Sequence, residues 1–222
     1  PEAEVSCWGV GRVALKSVEG WHAGHRYWHP LAGVETAAGL DAYPFPDLSA
    51  ARTLDALRCD VDALKAQGYT VIGQMSQTIL ETAYLMRGMD RLFMDLMERP
   101  SYADALFARL AEQRVSQARL LAQAGVDLLR IGDDIATQDS LMLSPRLYRE
   151  RVKPYHAAVV AEARRWAPGI PVLYHSDGRL TDLLPDLVDV GVTAINPVQP
   201  ECMDLLEVTR KFGDRLALWG CM

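Results

Sequence analysis

The sequence predicts an α/β protein built as a (β/α)8 TIM barrel that is incomplete within this chain. From residue 48 onward, short apolar stretches of strand length alternate with longer stretches that have apolar residues at helical spacing. Polar or ionisable residues follow the predicted strands, where the loops of a barrel converge on one face. The sequence lacks the glycine-rich turn that an open, doubly wound sheet usually carries after an early strand. Together these observations favour the barrel.

Each predicted element has its own boundary residues. Ser49 is predicted to cap the first helix, which Gly68 ends, and Pro154 is predicted to interrupt a later helix. The predicted helices cover residues 49–67, 79–86, 89–97, 100–124, 144–166, 180–190 and 203–212. The predicted strands cover residues 69–73, 127–132, 171–175, 193–196 and 215–219.

The end of the sequence gives the clearest topological evidence. Two consecutive strand–helix units of similar length indicate right-handed crossovers and hence a parallel sheet. A complete barrel of this type needs roughly 250 residues. We therefore expect strands to be missing from one or both ends of this chain, and we expect it to be a fragment of a longer protein.

Residues 1–48 differ in composition from the remainder. They contain three of the five Trp residues and three of the five His residues. Glycine and proline interrupt the segment repeatedly. We interpret residues 1–222 as a single barrel domain in which 1–48 is an aromatic-rich lid or entrance segment.

The composition argues against several classes of binding partner. The net charge of −6 argues against a nucleic-acid-binding protein, which needs a basic surface. No run reaches the roughly 18 to 20 apolar residues of a membrane helix, and no secretory signal opens the chain. The four cysteines are far apart and form no C-x-x-C pair, which is typical of a reducing cytoplasm. We expect a cytoplasmic protein that acts on a small molecule.

The sharpest candidate site is the run His175-Ser176-Asp177-Gly178, which follows a predicted strand. His175 and Asp177 are two residues apart and point to the same side of an extended chain. An imidazole beside a carboxylate can bind Zn²⁺ or act as an acid–base pair. The alternative is a structural histidine hydrogen-bonded to an aspartate at a helix N-terminus.

The other strand ends carry further candidates. Adjacent residues on a strand point to opposite faces, so at most one of Asp133 and Asp134 faces the ligand directly and the other could cap the following turn. Amide groups there could orient a polar substrate, although Asn-Pro is equally a turn signal. A thiol at the last strand end is a candidate metal ligand. The amide and thiol candidates are Gln74, Asn196, Gln199 and Cys221.

Several motifs occur in a characteristic order: YLMRGMD at 84–90, GDD at 132–134, LSP at 143–145, HSDG at 175–178, NPVQ at 196–199 and WG at 219–220. Together they resemble the uroporphyrinogen decarboxylase superfamily, which also contains methyltransferases that exchange methyl groups with corrinoid proteins. The resemblance covers nearly the whole chain. It implies a (β/α)8 barrel of the uroporphyrinogen decarboxylase type with its site at the strand ends.

The resemblance also bears on the branch of the superfamily. Its decarboxylases usually have Lys-Gly where this chain has His175-Ser176-Asp177-Gly178, and its methyltransferases typically have His-x-Cys there, with a distant cysteine completing a zinc site. Here Asp177 replaces the first of these cysteines. Tyr84 matches a substrate-contacting tyrosine of the decarboxylases. The departure at Asp177 leaves room for a relative that removes methyl groups from oxygen or nitrogen.

The sequence-based hypothesis is a corrinoid-linked methyltransferase that demethylates a small methoxylated or methylated substrate. His175, Asp177 and Asp134 are the predicted catalytic residues. The predicted metal ligands, for zinc, are His175, Asp177 and Cys221. The predicted substrate-binding residues are Gln74, Tyr84, Asp133, Asn196 and Gln199. The resemblance implies cobalamin on a partner protein as methyl acceptor.

Two alternatives remain open from the sequence. The chain could belong to a uroporphyrinogen decarboxylase, which works without a cofactor but needs a basic pocket for the many carboxylates of its substrate. It could also be a non-catalytic barrel that binds a tetrapyrrole or corrinoid. A homodimer is expected only because symmetric dimers are common among soluble proteins.

Overall fold

The structure, a computed structural model, describes residues 4–15, 24–50 and 52–220. In chain order the strands are β1 (Glu4–Val5), β2 (Gly11–Ala14), β3 (His25–Trp28), β4 (Ile72–Ser76), β5 (Leu128–Gly132), β6 (Val172–His175), β7 (Ala194–Asn196) and β8 (Ala217–Leu218). The α-helices are α1 (Ala37–Asp41), α2 (Leu54–Ala66), α3 (Leu80–Arg87), α4 (Met89–Glu98), α5 (Pro100–Ala124), α6 (Pro145–Arg151), α7 (Lys153–Trp166), α8 (Leu184–Val190) and α9 (Leu205–Phe212). One 3₁₀ turn covers Thr181–Leu183.

The chain divides into two compact units. The first comprises Pro1–Pro46 and Thr82–Arg109, and the second comprises Asp47–Glu81 and Leu110–Met222. In the first unit, β1, β2 and β3 form an antiparallel sheet. The single-domain interpretation and the role of 1–48 as a lid stay predictions.

Helix boundaries follow from side-chain caps. Thr53 caps α2 by accepting a hydrogen bond from the Ala56 N–H at 3.2 Å. The predicted cap at Ser49 is wrong, because Ser49 lies in a preceding turn where it donates to Asp47. The predicted interruption near Pro154 is confirmed as the break between α6 and α7, since proline has no N–H to continue the helical hydrogen bonds.

The second unit is built on a parallel sheet. Its strands lie side by side in chain order, β4-β5-β6-β7-β8, and every neighbouring pair is parallel. This sequential order is that of a barrel wall. The fold is an α/β fold with the strand arrangement of an incomplete TIM barrel, as the sequence predicts.

The two faces of this sheet differ in chemistry. Alternate residues of a strand point to opposite faces. One face carries the buried side chains of Leu129, Ile131, Val172, Tyr174 and Ile195. The other face carries the partly exposed or exposed residues Gln74, Arg130, His175 and Asn196. The polar face is therefore the one that can meet a ligand.

The carboxyl ends of the strands lie in one register row. Ser76 pairs with Gly132, Gly132 with His175, and His175 with Asn196. Strand β4 begins at Ile72, three residues later than the predicted strand 69–73, so Gln74 lies within β4 and not beyond its end. The row places His175 and Asn196 side by side.

Gly132 is required for this close approach. A Cβ atom at position 132 would lie 2.1 Å from the backbone oxygen of His175. Because the obstructing atom belongs to the backbone of the neighbouring strand, rotamer changes cannot relieve the overlap. The glycine therefore allows β6 to lie against β5 at the edge where the functional groups gather.

Replacement of Gly132 by alanine is expected to lower the free energy of unfolding by about 3 kcal/mol, because the added methyl group would force β5 and β6 apart. Denaturant unfolding measures the change. Gly33→Ala is the control, since a Cβ at position 33 meets nothing within 4 Å. Equal stability of the two variants would contradict the packing described above.

Candidate active site

The candidate active site is centred on His175 at the end of β6. His175 Nδ1 lies 2.7 Å from Asn196 Oδ1, and Asn196 Nδ2 donates to the Trp219 carbonyl at 2.9 Å. Because the Asn196 amide nitrogen faces a carbonyl, its oxygen must face the imidazole and accept from Nδ1. In neutral His175, the Nε2 atom is therefore left as an acceptor for a proton, a substrate or a metal ion.

Asp134 lies beside this free nitrogen. Its Oδ1 atom is 4.0 Å from His175 Nε2, and the side chains of His175 and Asp134 are 27% and 39% exposed. This gap is longer than a direct hydrogen bond, so the two groups can share a water molecule or a substrate atom. The same oxygen accepts from the Asp177 backbone N–H at 3.0 Å. Asp134 thus connects the loops that follow β5 and β6.

Glu81 joins the site, although sequence reasoning missed it. Its Oε2 atom accepts a hydrogen bond from the Asp134 backbone N–H at 3.2 Å. Burial, followed by the neighbouring charge of Asp133, raises the pKa of Glu81 from its usual 4.5 to about 7. Glu81 can therefore hold or release a proton near neutral pH. The one signal in the sequence that could have identified Glu81 is its place in the first turn of the helix after β4.

Asp133 occupies a different environment from its neighbour Asp134. It has no exposed surface, and its oxygens accept from the backbone N–H groups of Ile79, Leu80 and Glu81 at 3.0 to 3.1 Å. It thereby caps the start of α3, which precedes it in the chain, and not the following turn that the sequence suggested. With both oxygens engaged, the carboxylate suits a positioning role, and its predicted contact with substrate stays a prediction.

A second buried histidine extends this network. His156 Nε2 lies 2.7 Å from Asp133 Oδ2, and its Nδ1 lies 3.1 Å from the Tyr148 hydroxyl. Burial favours a raised pKa for Asp133, but the His156 hydrogen bond and the backbone N–H groups outweigh burial and lower the pKa below its usual value. Burial also raises the pKa of Tyr148, which keeps its hydroxyl protonated. The network holds a carboxylate in place without solvent.

The remaining predicted residues have different placements. Gln199 Oε1 accepts from the Gly178 N–H at 2.6 Å, so Gln199 holds the loop that follows His175. Gln74 donates to Ser76 Oγ within β4, and Asp177 is exposed. Tyr84 is buried in the first unit, where its proposed substrate contact stays a prediction. Cys221 lies outside the described residues.

The donor set bears on zinc. The tautomer of His175 suits a metal ligand, because metal-binding histidines usually donate their other ring N–H to an oxygen acceptor. Within residues 4–15, 24–50 and 52–220, no three His, Cys, Asp or Glu side chains converge as a metal-binding group. A zinc site needs at least three protein ligands. The described residues alone therefore do not complete a zinc site.

Comparison with known proteins places the chain in a family. The family sequence model "Uroporphyrinogen decarboxylase (URO-D)" matches residues 30–222. The chain belongs to the URO-D family. The match includes every described residue of the candidate site. No curated protein matches the sequence.

A solved structure supports the URO-D-type fold. A methyltransferase from Methanosarcina mazei superposes with a TM-score of 0.63 at 16% sequence identity. The alignment covers 97% of this URO-D-family chain and 60% of the methyltransferase chain. At this identity the likeness shows the fold alone, and the chain spans about 60% of the length of that neighbour. No helix in the described ranges has the length and apolar character that a membrane crossing requires.

Glu81 generates a pH prediction. Because its pKa is about 7 when folded and 4.5 ordinarily, the stabilisation from proton uptake is complete below pH 4.5 and is lost as the pH rises through 7. Glu81→Gln mimics the protonated form, so its melting temperature relative to the wild type should rise between pH 5 and pH 8. Thermal unfolding across this range measures the difference. Glu98→Gln, at an exposed position, is the control, and parallel pH profiles for both variants would contradict the proposed burial of Glu81.

Asp133 generates a stability prediction. In Asp133→Asn an amide N–H₂ group would face the backbone N–H groups from which the carboxylate now accepts hydrogen bonds. The free energy of unfolding should therefore fall by about 3 kcal/mol. Denaturant unfolding at neutral pH measures the loss. The matched control is Asp62→Asn on the exposed face of α2. A loss no larger than that of the control would show that Asp133 does not hold the start of α3.

Proposed function

We propose that this chain provides the substrate-binding site of a corrinoid-linked methyltransferase that demethylates a small methoxylated or methylated compound. The observation that carries the proposal is the orientation of His175. Asn196 fixes its Nδ1 atom at 2.7 Å, and the Trp219 carbonyl fixes Asn196. His175 Nε2 is thereby presented toward Asp134 at the carboxyl end of the sheet. The name of the structural neighbour, a methyltransferase, adds support.

The reaction requires a proton at the heteroatom that loses its methyl group. When the bond between the methyl carbon and the heteroatom breaks, its electron pair stays on the heteroatom, which must then be neutralised. A protonated imidazole can donate a hydrogen bond to a substrate oxygen or nitrogen. His175, once protonated at Nε2, donates to that atom, and Asp134, whose Oδ1 atom lies 4.0 Å from Nε2, stabilises the positive charge of the imidazolium.

Glu81 supplies the proton reserve in this proposal. It contacts the backbone of Asp134 and has a pKa of about 7. A carboxylic acid with a pKa near the working pH can release a proton and take it up again within one turnover. Glu81 is therefore proposed to return a proton to the His175–Asp134 pair.

Two further components belong to the proposal. A corrinoid on a partner protein would supply the nucleophile that accepts the methyl group. The proposed zinc ligands are His175, Asp177 and Cys221. Because His175 Nε2 cannot hold zinc and a proton at once, zinc would take the place of the proton there and would stabilise negative charge on the departing heteroatom. A cytoplasmic location and a homodimer also stay predictions.

Porphyrinogen decarboxylation is the second candidate, favoured by the name of the matching family. That reaction releases CO₂ from a substrate with several carboxylates and needs several cationic groups. The described residues at the ends of β4 to β7 are instead mostly neutral or acidic: Ser76, Asp133, Asp134, His175, Asp177, Asn196 and Gln199. The acidic character of this edge favours the methyltransferase.

The test is an assay of the full-length protein with free cob(I)alamin as acceptor and a panel of small O-methyl and N-methyl compounds as donors. Formation of methylcobalamin is followed by absorbance. His175→Ala is expected to lower kcat/KM at least about 100-fold, as loss of an acid–base group does. The matched control is His25→Ala on β3, an exposed position, which should leave kcat/KM unchanged.

Other outcomes decide against the proposal. Release of CO₂ from uroporphyrinogen, without methyl transfer, would move the decarboxylase to first place. Binding of a corrinoid or tetrapyrrole without turnover, unaffected by His175→Ala, would indicate a non-catalytic barrel. Metal analysis of the same samples tests zinc separately, since near one zinc per chain should be lost in His175→Ala if the proposed ligands are correct.

A further inference from the structure

Arg130 stands out among the buried or partly buried arginines of the chain. Arg87 pairs with Asp95 and donates to the Leu31 carbonyl, and Arg114 donates to the Thr78 and Gln77 carbonyls. Arg130 makes no side-chain hydrogen bond or ion pair with any described residue, and its Nε atom is buried. An unpaired buried donor is rare in folded proteins because its desolvation is uncompensated. The guanidinium therefore calls for a partner.

The position of Arg130 identifies where that partner would lie. Arg130 belongs to β5 and points to the same face as His175, because it precedes Gly132, the register partner of His175, by two residues. Two residues of a strand span about 6.6 Å. Arg130 thus lies one layer below His175, toward the amino ends of the strands. A small molecule bound at His175 can reach it.

The neighbours of Arg130 make the position selective. On one side its register partner is Leu173, which is 1% exposed, and on the other it is Gln74, a neutral amide. The apolar neighbour lowers the local dielectric and strengthens attraction to an anion. The carboxylates of Asp134 and Asp177 belong to the loops beyond the strand ends, whereas Arg130 lies within β5.

We propose that Arg130 is a substrate-specificity residue that binds a carboxylate on the small molecule held at His175. A planar guanidinium matches a carboxylate through two parallel hydrogen bonds. One guanidinium balances the single charge of a carboxylate. A phosphate dianion would need more donors, and the described neighbours, Gln74 and Leu173, add no cation. This inference refines the proposed function by naming the substrate class, but it concerns binding and does not depend on methyl transfer.

The experiment compares a charged and a neutral probe of similar size. Methoxyacetate and 2-methoxyethanol are titrated into the full-length protein without corrinoid, and ligand-observed NMR gives both dissociation constants. The wild type is expected to bind methoxyacetate at least tenfold more tightly. Arg130→Met should reduce this preference to threefold or less without changing the affinity for 2-methoxyethanol. Arg146→Met, at a side chain that is 75% exposed, is the matched control.

The outcomes separate this inference from its alternatives. If the wild type has no preference for methoxyacetate, or if Arg130→Met keeps the preference, the inference is wrong. Should Arg130→Met fail to fold, Arg130→Lys retains the charge but loses the paired donors, and the preference should then fall severalfold. An unchanged preference in Arg130→Lys would overturn the inference and indicate a structural role. Failure of methyl transfer with an intact preference would count only against the methyltransferase proposal.

Discussion

The buried carboxylate of Asp133 is the constraint on which the candidate site depends. It lies at the end of β5 and accepts hydrogen bonds from the first N–H groups of α3 and from His156 of α7. A carboxylate with all its lone pairs engaged cannot shift without leaving several donors unpaired. It therefore fixes the end of β5 relative to residues 79–81 and to His156. This network also sets the backbone position of the next residue, Asp134.

The fixed backbone explains the contrast between adjacent carboxyl groups. Asp133 has its charge stabilised by His156 and by helix N–H groups, so its pKa falls. Glu81 lies in the same first turn of α3, where it is partly buried beside that charge, so its pKa rises to about 7. Placing a carboxyl group with a lowered pKa next to one that titrates near neutrality is how proteins divide acid and base roles between similar side chains. Here burial and the charge of Asp133 together raise the pKa of Glu81, whereas His156 and the helix N–H groups lower that of Asp133.

The sequence predicted the parts of this arrangement that depend on local pattern. Alternating strands and helices implied the parallel sheet, and His175 and Asn196 were recognised because polar residues at strand ends are unusual. Glu81 was missed because its environment arises from residues more than 50 positions away in the chain. Gln74 was misplaced because strand ends depend on pairing with a neighbour, and β4 begins where Asp127 and Leu128 align with it. The alternation of strand residues alone fits either Asp133 or Asp134 facing inward, so the fold was needed to decide between them.

The fixed tautomer of His175 also limits how charge can be arranged around a substrate. Its Nδ1 proton is committed to Asn196, so any proton or metal ion must be exchanged at Nε2, on the side of Asp134. Acidic groups then crowd this edge, whereas the unpaired guanidinium of Arg130 lies one layer below. An anionic end placed at the acidic edge would be repelled, and the same end placed at Arg130 would be attracted. The electrostatics therefore favour a single orientation of the substrate. Its neutral heteroatom contacts His175, and its negatively charged end lies at Arg130.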